Sequence, residues 1–204
     1  MNETDKYLKA VSLLMQYPDE EYFRMLPEIK SFAGSMRRGP HRASIEKFIT
    51  RLEGEEAIHL QEQYTAIFDM SPSTTLNVTY HLWGDGEKRA RLLTKLQQVY
   101  AVAGLEKKSR ELPDFLPLIL EFLASVPKAT QSGAIRTSLR GVKRLVERLK
   151  PIASHYSGIL EPLLELIVEP AEDQTAATVS SSIVSPSVPV PSELANSSKA
   201  KRNW

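Results

Sequence analysis

The chain has 204 residues, of which 42% are hydrophobic, and its 26 Lys and Arg nearly balance its 25 Asp and Glu. This length allows one domain with a sizeable core, and the balanced charge disfavours nucleic acid or an anionic membrane as a partner. The absence of cysteine excludes disulfides, thiol catalysis, iron–sulfur ligation and cysteine-based zinc sites.

The N-terminal region predicts helices rather than a targeting or membrane segment. It lacks the basic and apolar stretches of a secretory signal, and no apolar run in the chain reaches the roughly 18 residues that span a bilayer. We therefore expect a cytoplasmic protein without stable membrane insertion. Apolar residues at helical spacing predict four amphipathic helices before residue 70, separated by a turn at Pro18 and a stop at Gly54. The stripes include Tyr7, Leu8, Val11, Leu14 and Met15 in the first helix, Ile45, Phe48, Ile49 and Leu52 in the third, and Ala57, Leu60, Tyr64, Ile67 and Phe68 in the fourth.

The stretch "SPSTTLNVTYHLWGDG", residues 71–86, has a different pattern. Leu76, Val78, Tyr80 and Leu82 alternate with other residues, as in a β-strand. No second alternating run exists to pair with them, and an unpaired strand would leave backbone groups unsatisfied. We therefore predict an extended connector that crosses a helical body.

Helical spacing resumes after Gly86 and continues to about Val168. The predicted stripes are Ala90, Leu93, Leu96 and Tyr100, then Phe115, Leu118, Ile119 and Phe122, then Ile135, Leu139, Val142, Leu145, Val146 and Leu149, followed by a last helix that begins or bends near Pro162. Residues 169–204 are rich in Ser, Ala, Thr and Pro and lack large apolar groups that could offset chain ordering. The predicted fold class is all-α, a single-domain helical bundle over 1–168 with a flexible tail over 169–204.

Three patterns suggest chemistry that other features disfavour. Glu56 and His59 have the spacing of a di-iron ligand pair, but the sequence contains no second copy of that pair. The stretch "GDGEKRAR" looks like a phosphate loop but lacks the Gly-Lys-Ser/Thr ending and a surrounding βαβ unit. A row of arginines, Arg136, Arg140, Arg144 and Arg148, is typical of a solvated helix face. A metal- or nucleotide-binding helical enzyme therefore stays an alternative with little support.

Several segments, in order, resemble one known family. They are "LLMQYP", "QEQYTAIFDMSPSTTLNVTYHLWGDGEKRA" and "SRELPDFLPLILEFL". Together they resemble the NarJ-type nitrate reductase assembly chaperones, within the TorD/DmsD class of redox-enzyme maturation proteins. The resemblance covers roughly residues 7 to 125. Its most specific elements are Tyr64-x-x-Ile67-Phe68-Asp69 and Glu111-Leu112-Pro113-Asp114.

The resemblance implies an all-helical cytoplasmic chaperone that is neither an enzyme nor a cofactor-containing protein. Its expected partner is the N-terminal segment of a molybdoenzyme catalytic subunit, held ready for insertion of the molybdenum cofactor. The machinery that delivers the cofactor is a further expected partner. A permanent structural subunit of an oxidoreductase is the alternative, and a chaperone would be absent from the finished complex.

The expected peptide-binding site combines aromatic and acidic residues. A client helix would lay its apolar face on aromatic and aliphatic side chains, while acids at the edge meet its arginines or its N-terminal amine. One departure from the family concerns residue 115, a phenylalanine where relatives often carry a histidine, which removes a group that titrates near neutral pH. The predicted site residues are Tyr64, Phe68, Asp69, His81, Trp83, Arg89, Glu111, Pro113, Asp114, Phe115, Leu116 and Ile119.

Overall fold

The computed structural model describes residues 1–105 and 111–166, and these residues form helices joined by short loops. The α-helices are α1 (Glu3–Leu14), α2 (Glu20–Gly34), α3 (Pro40–Glu53), α4 (Ala57–Tyr64), α5 (Tyr80–Trp83), α6 (Glu87–Val102), α7 (Leu116–Ser125), α8 (Gly133–Leu149), α9 (Ser154–Leu160) and α10 (Leu163–Leu166). A π-helical turn, Thr65–Asp69, extends α4, and a 3₁₀ turn, Ala129–Gln131, precedes α8. The expected flexible tail, 169–204, and the expected helix end at Val168 lie outside the described residues.

The N-terminal helices α1 and α2 begin at polar capping residues. The Asn2 side chain accepts a hydrogen bond from the Asp5 backbone N–H at 2.8 Å, and the Asp5 carboxylate accepts one from the Asn2 backbone N–H. Asp19 caps α2 in the same way by accepting from Tyr22 at 2.9 Å. Each cap satisfies backbone donors that a helix leaves free at its first turn.

The core lies between α1 and α7 and continues between α8 and its neighbours α5, α6 and α9. The predicted α1 stripe, from Tyr7 to Met15, is buried throughout. Helix α8 buries one continuous apolar face and exposes the arginine-bearing face, as its spacing predicts. The expected all-α helical fold is confirmed, and the described residues contain no β-strand longer than one isolated bridge.

Three stripe predictions were wrong in detail. In α7 the buried residues include Leu116 and Leu120, whereas Phe115 and Leu118 of the predicted stripe are half-buried. In α6 the buried residues are Arg89, Leu92, Leu96 and Tyr100, whereas Ala90 is exposed and Leu93 is half-buried. The predicted stripe lay on the wrong face of α6 because it was drawn from apolar residues alone, and the first buried residue of this helix is Arg89. In α4, Ala57 is exposed because the helix begins there, outside the core.

The expected extended connector is also corrected. Residues 71–79 run as turns and a single antiparallel bridge between Asn77 and Phe115, and Tyr80–Trp83 form the short helix α5. The bridge is bounded by hydrogen bonds from Val78 N–H to the Asp114 carbonyl and from Leu116 N–H to the Leu76 carbonyl, at 3.1 and 2.9 Å. We call residues 73–83 the wall segment. It finds its backbone partners in the loop before α7 and in its own turns, so no second strand is required.

Helix α8 approaches the wall segment closely at Gly141. A Cβ atom added at this position would overlap the backbone carbonyl of Val78. The glycine therefore allows α8 to pack directly on this backbone. Farther along α8, Arg144 donates to the His81 carbonyl at 2.6 Å, and Arg148 donates to the Ser73 carbonyl at 3.1 Å. Two of the arginines expected to be solvated thus hold the wall segment in place.

Candidate functional site

A cleft of about 520 Å³ opens between the end of α1, the α4 π-helical turn, the wall segment and the start of α7. Five of the predicted site residues line it: Tyr64, Phe68, Asp69, Glu111 and Phe115. The other lining residues were not predicted site residues, namely Gln16, Tyr17, Asp19, Thr75, Leu76, Asn77, Pro117, Leu118 and Glu121.

The floor of the cleft is aromatic. Tyr64 and Phe68 lie one turn apart with ring centroids 4.9 Å apart, and Tyr17 meets the Tyr64 ring edge-on at 5.4 Å. Tyr64 and Phe68 are nonetheless largely buried in the core, so each presents only an edge to the cleft. The Tyr64 hydroxyl donates to the Met15 carbonyl at 3.1 Å, which anchors the floor to α1. Tyr64 and Phe68 therefore pack in the core and also form part of the cleft surface.

The sides of the cleft are acidic. Four carboxylates line it, from Asp19, Asp69, Glu111 and Glu121, and none of the described lining residues is a lysine or arginine. Glu121 pairs with Lys9 at 2.7 Å, and Asp19 caps α2, whereas Asp69 and Glu111 form no ion pair within the described residues. Burial, and then the negative charges near the ring, including those of Asp69 and Glu111, raise the pKa of Tyr64. The cleft therefore favours a positively charged occupant.

One wall of the cleft carries a buried acceptor without a donor. The Asn77 side-chain oxygen is inaccessible to solvent and has no hydrogen-bond partner among the described residues. Such a group costs about 1–3 kcal/mol when it is left unpaired, so Asn77 is a locally unfavourable feature of this wall. Nothing in the sequence distinguishes Asn77 from other loop asparagines, because its position depends on the bridge to Phe115.

Asp114 was expected at the cleft edge, and the structure places it elsewhere. It is 0% exposed and accepts hydrogen bonds from the Thr79 hydroxyl at 2.5 Å and from the Arg89 guanidinium at 3.3 Å. Arg89 in turn donates to Asp85 at 2.8 Å, and its guanidinium lies 5.6 Å from the centre of the Tyr80 ring. We call this set the Asp114–Arg89 network. It ties the wall segment to α6 and to the loop before α7, so the expected contact between Asp114 and a client arginine is corrected.

The remaining predicted site residues also lie outside the cleft lining. Leu116 and Ile119 are 0% exposed core residues on the side of α7 that packs inside, whereas Pro117 and Leu118 of the same turn line the cleft. Pro113 is buried, and its carbonyl accepts from the Tyr100 hydroxyl at 2.8 Å. Trp83 packs half-buried against the core. Arg89 belongs to the Asp114–Arg89 network, as described above.

His81 stabilises the wall segment and does not line the cleft. One ring nitrogen faces the Arg148 guanidinium at 3.0 Å, and the other faces the Thr75 carbonyl at 2.8 Å. Because Arg148 can only donate and the carbonyl can only accept, the ring is neutral with its proton on Nε2. Burial, together with the charges of Arg148 and Arg144, lowers the pKa of His81.

The di-iron and nucleotide alternatives gain no support from the geometry. Glu56 and His59 are both exposed on the surface. Within the described residues, no three His, Asp or Glu side chains converge as potential metal ligands. The glycines of "GDG" end α5 and precede α6, and Gly84 adopts a φ of 57° that favours glycine. Their role is the turn between two helices.

The sequence is similar to a known family and to named proteins of that family. The sequence model of the family described as "Nitrate reductase delta subunit" matches residues 36–158, more than half of the chain. The chain belongs to this family. A Bacillus subtilis (strain 168) relative, named a probable nitrate reductase molybdenum cofactor assembly chaperone NarJ, is 32% identical over 166 residues, covering 80% of this chain and 90% of its own.

Further relatives support the same assignment. The NarJ nitrate reductase molybdenum cofactor assembly chaperone of Escherichia coli (strain K12) is 30% identical, covering 78% of this chain and 68% of its own. A crystal structure of a candidate redox enzyme maturation protein from Archaeoglobus fulgidus shares the fold, with a TM-score of 0.56 at 21% identity, covering 79% of this chain and 93% of that one. The expected NarJ-type family is confirmed. Since these relatives are assembly chaperones, the expectation that this chain is not an enzyme is confirmed as well. Of the helices that the structure describes, none is long and apolar enough to cross a membrane.

Proposed function

We propose that the chain is a cytoplasmic assembly chaperone for the catalytic subunit of a nitrate reductase, acting before or during insertion of the molybdenum cofactor. The NarJ relatives are named nitrate reductase molybdenum cofactor assembly chaperones, which supports a nitrate reductase as the client. The names of the same relatives support a chaperone that prepares another protein rather than transforming a substrate.

We further propose that the acid-lined cleft binds the N-terminal segment of that catalytic subunit. The observation that carries this proposal is the combination of four carboxylates and an aromatic floor in one opening, without a described lysine or arginine in its lining. A guanidinium or an N-terminal amine would form charge-assisted hydrogen bonds with Asp69 and Glu111, and its apolar neighbours would cover the rings of Tyr17 and Phe115.

Calorimetry with the full chain and a synthetic peptide of the catalytic subunit's N-terminal segment tests the proposal. We expect stoichiometric binding that weakens at least tenfold in the double variant Asp69→Asn with Glu111→Gln. The affinity should also fall as salt is raised, because partly exposed charges are screened. Glu28→Gln is the matched control, since Glu28 is an exposed acid on α2 outside the cleft lining. Unchanged affinity in the double variant would reject the cleft as the binding site.

The permanent-subunit alternative requires a separate measurement, because the family description uses the word subunit whereas the relatives are named chaperones. We expect the chain to associate with immature catalytic subunit and to be missing from purified, cofactor-loaded reductase. Stoichiometric co-purification with the active enzyme would instead favour a permanent subunit.

A further inference from the structure

A second groove lies on another part of the molecule, where the N-terminal end of α1, the C-terminal end of α7, α8 and α10 meet. Its volume is about 550 Å³, and it shares no lining residue with the cleft. Most of its lining residues are apolar, and each of the four helices contributes one buried leucine to its floor: Leu8, Leu120, Leu139 and Leu163. We call it the leucine groove. Mostly apolar pockets of about 300–1,000 Å³ between the helices of a bundle are typical small-molecule sites.

Two of the residues that line the leucine groove are charged, and they differ in their surroundings. The Asp5 carboxylate accepts a hydrogen bond from the Asn2 backbone N–H at 3.1 Å, so its charge is held at the N-terminus of α1. Lys128 is exposed and forms no ion pair within the described residues. Its ammonium group is therefore available to a bound molecule.

A second cation lies beside Lys128. The Arg136 guanidinium donates to the carbonyls of Thr130 and Gln131 at 3.4 and 3.3 Å, and Thr130 lines the leucine groove. Among the described residues, Arg136 likewise forms no ion pair. Lys128 also has a φ of 62°, the one positive φ of a residue other than glycine in the part of the chain that the structure describes. Backbone strain of this kind is concentrated at functional sites. This end of the groove is therefore complementary to an anionic group.

The chemistry of the floor indicates what else the occupant contains. An extended protein segment would bring backbone N–H and C=O groups, which leucine side chains cannot pair and which are costly to bury unpaired. An alkyl chain brings no such groups and gains free energy from each methylene group that leaves water. An alkyl chain that ends in a carboxylate matches both the leucine floor and the cationic end.

We propose that the leucine groove binds a single-chain anionic amphiphile, such as a free fatty acid. The alkyl chain lies on the leucine floor, and the carboxylate lies against Lys128 and Arg136. This inference goes beyond the proposed function and is independent of it, because the leucine groove and the cleft have no lining residue in common.

Calorimetry with the full chain and decanoate, dodecanoate or tetradecanoate, each below its micelle concentration, tests the proposal. We expect one molecule bound per chain, with an affinity that rises about fourfold for each added methylene group, since a buried methylene contributes about 0.8 kcal/mol and about 1.4 kcal/mol is a factor of ten. Dodecyltrimethylammonium, which has the opposite charge, should bind at least tenfold more weakly than dodecanoate. Lys128→Gln should weaken dodecanoate binding about fivefold.

Ala124→Phe tests the apolar part of the site. Ala124 is half-buried in the lining of the leucine groove, so the larger ring should fill the groove and weaken dodecanoate binding at least tenfold. Leu123→Gln is a second variant of the same lining, and it should also weaken binding if α7 does not accept the ring. Circular dichroism checks that each variant is folded.

Lys95→Gln is the matched control, since Lys95 is an exposed lysine on α6 outside both linings. It should bind dodecanoate like the unsubstituted chain. The affinity for the client peptide should be unchanged in Lys128→Gln and Ala124→Phe, which separates this proposal from the proposed function. Absence of heat with all three carboxylates, or equal affinity for dodecanoate and dodecyltrimethylammonium, would overturn the site.

Two other occupants give different results. Binding to phosphatidylglycerol vesicles without binding to the free carboxylates would indicate a membrane contact and overturn the proposal. A dimer in analytical ultracentrifugation that dissociates in Ala124→Phe would assign the leucine groove to a second copy of the chain, with the same consequence.

Discussion

Glu111 and Asp114 lie three residues apart in one loop, and the family resemblance expects both to meet a client. The structure gives them opposite surroundings. Glu111 is exposed in the cleft without an ion pair among the described residues, whereas Asp114 is 0% exposed and bound to Thr79 and Arg89. An exposed carboxylate can change partners at little cost, but a buried one that loses its partners remains as an uncompensated charge. The cleft is therefore suited to recognition and the Asp114–Arg89 network to shaping the cleft wall.

The largest expected effect comes from breaking the buried network. Asp114→Ala should lower the free energy of unfolding by about 3–5 kcal/mol, because it leaves the buried Arg89 guanidinium with fewer partners and removes the acceptor of Thr79. Urea denaturation followed by circular dichroism measures this loss. Destabilisation below about 1 kcal/mol would show that Asp114 does not hold the wall segment. The distinction between a structural Asp114 and an available Glu111 would then be wrong.

A smaller loss should follow from Gly141→Ala. The added methyl group overlaps the Val78 carbonyl, and such overpacking typically costs about 1–3 kcal/mol. Gly158→Ala in α9 is the matched control, since an added Cβ meets no atom within 4 Å there. Its free energy of unfolding should stay constant or rise, because alanine favours helix over glycine. Equal behaviour of the two variants in thermal melts would contradict close packing of α8 on the wall segment.

Acidification should destabilise the fold through His81, which is buried, and His155, which is half-buried. Burial lowers the pKa of His81 and of His155, and charged arginines add to the effect. In the unfolded chain both titrate near 6.5, so the unfolded state binds more protons as the pH falls below that value. The free energy of unfolding should therefore be maximal above about pH 6.5 and decline as the pH approaches the folded pKa values. Denaturation at pH 7.5 and pH 5.5 measures this, and His81→Gln should show a weaker pH dependence over that interval.

The smallest expected change in stability concerns the cleft acids. Asp69→Asn and Glu111→Gln should each alter the free energy of unfolding by less than about 0.5 kcal/mol, as is usual for surface positions without tight partners. The same urea titrations used for Asp114→Ala provide the measurement. A loss of 2 kcal/mol or more at either position would mean that the cleft acids also support the fold.

Much of the helical architecture could be predicted from local pattern. The stripe from Tyr7 to Met15, the turn at Pro18 and the break near Pro162 depend on neighbouring residues and agree with the structure. The wall segment could not be predicted in this way. Its backbone partners come from Asp114 and Leu116, about 40 residues away, and its alternation arises from an isolated bridge and a short helix.

The candidate site was predictable only in part. The resemblance to the NarJ family identified Tyr64, Phe68, Asp69, Glu111 and Phe115, which line the cleft. It could not separate them from Asp114, Leu116 and Ile119, because residue type and spacing do not determine which side of a loop or first helical turn is covered by another element. Tyr17 and Asn77 lie within the segments that resemble the family but were not predicted site residues, since each becomes part of the site through residues distant in the chain.

The sequence by itself determined that this chain is helical, lacks cysteine chemistry and resembles the NarJ chaperones, because composition, 3.6-residue periodicity and short motifs are local properties. Tertiary structure decided which acids are exposed and which apolar residues remain uncovered. Those outcomes depend on the approach of α8 to the wall segment at Gly141 and on the pairing of Arg89 with Asp114. Burial is a property of distant contacts, and it is burial that separates a residue that supports the fold from one that is available to a partner.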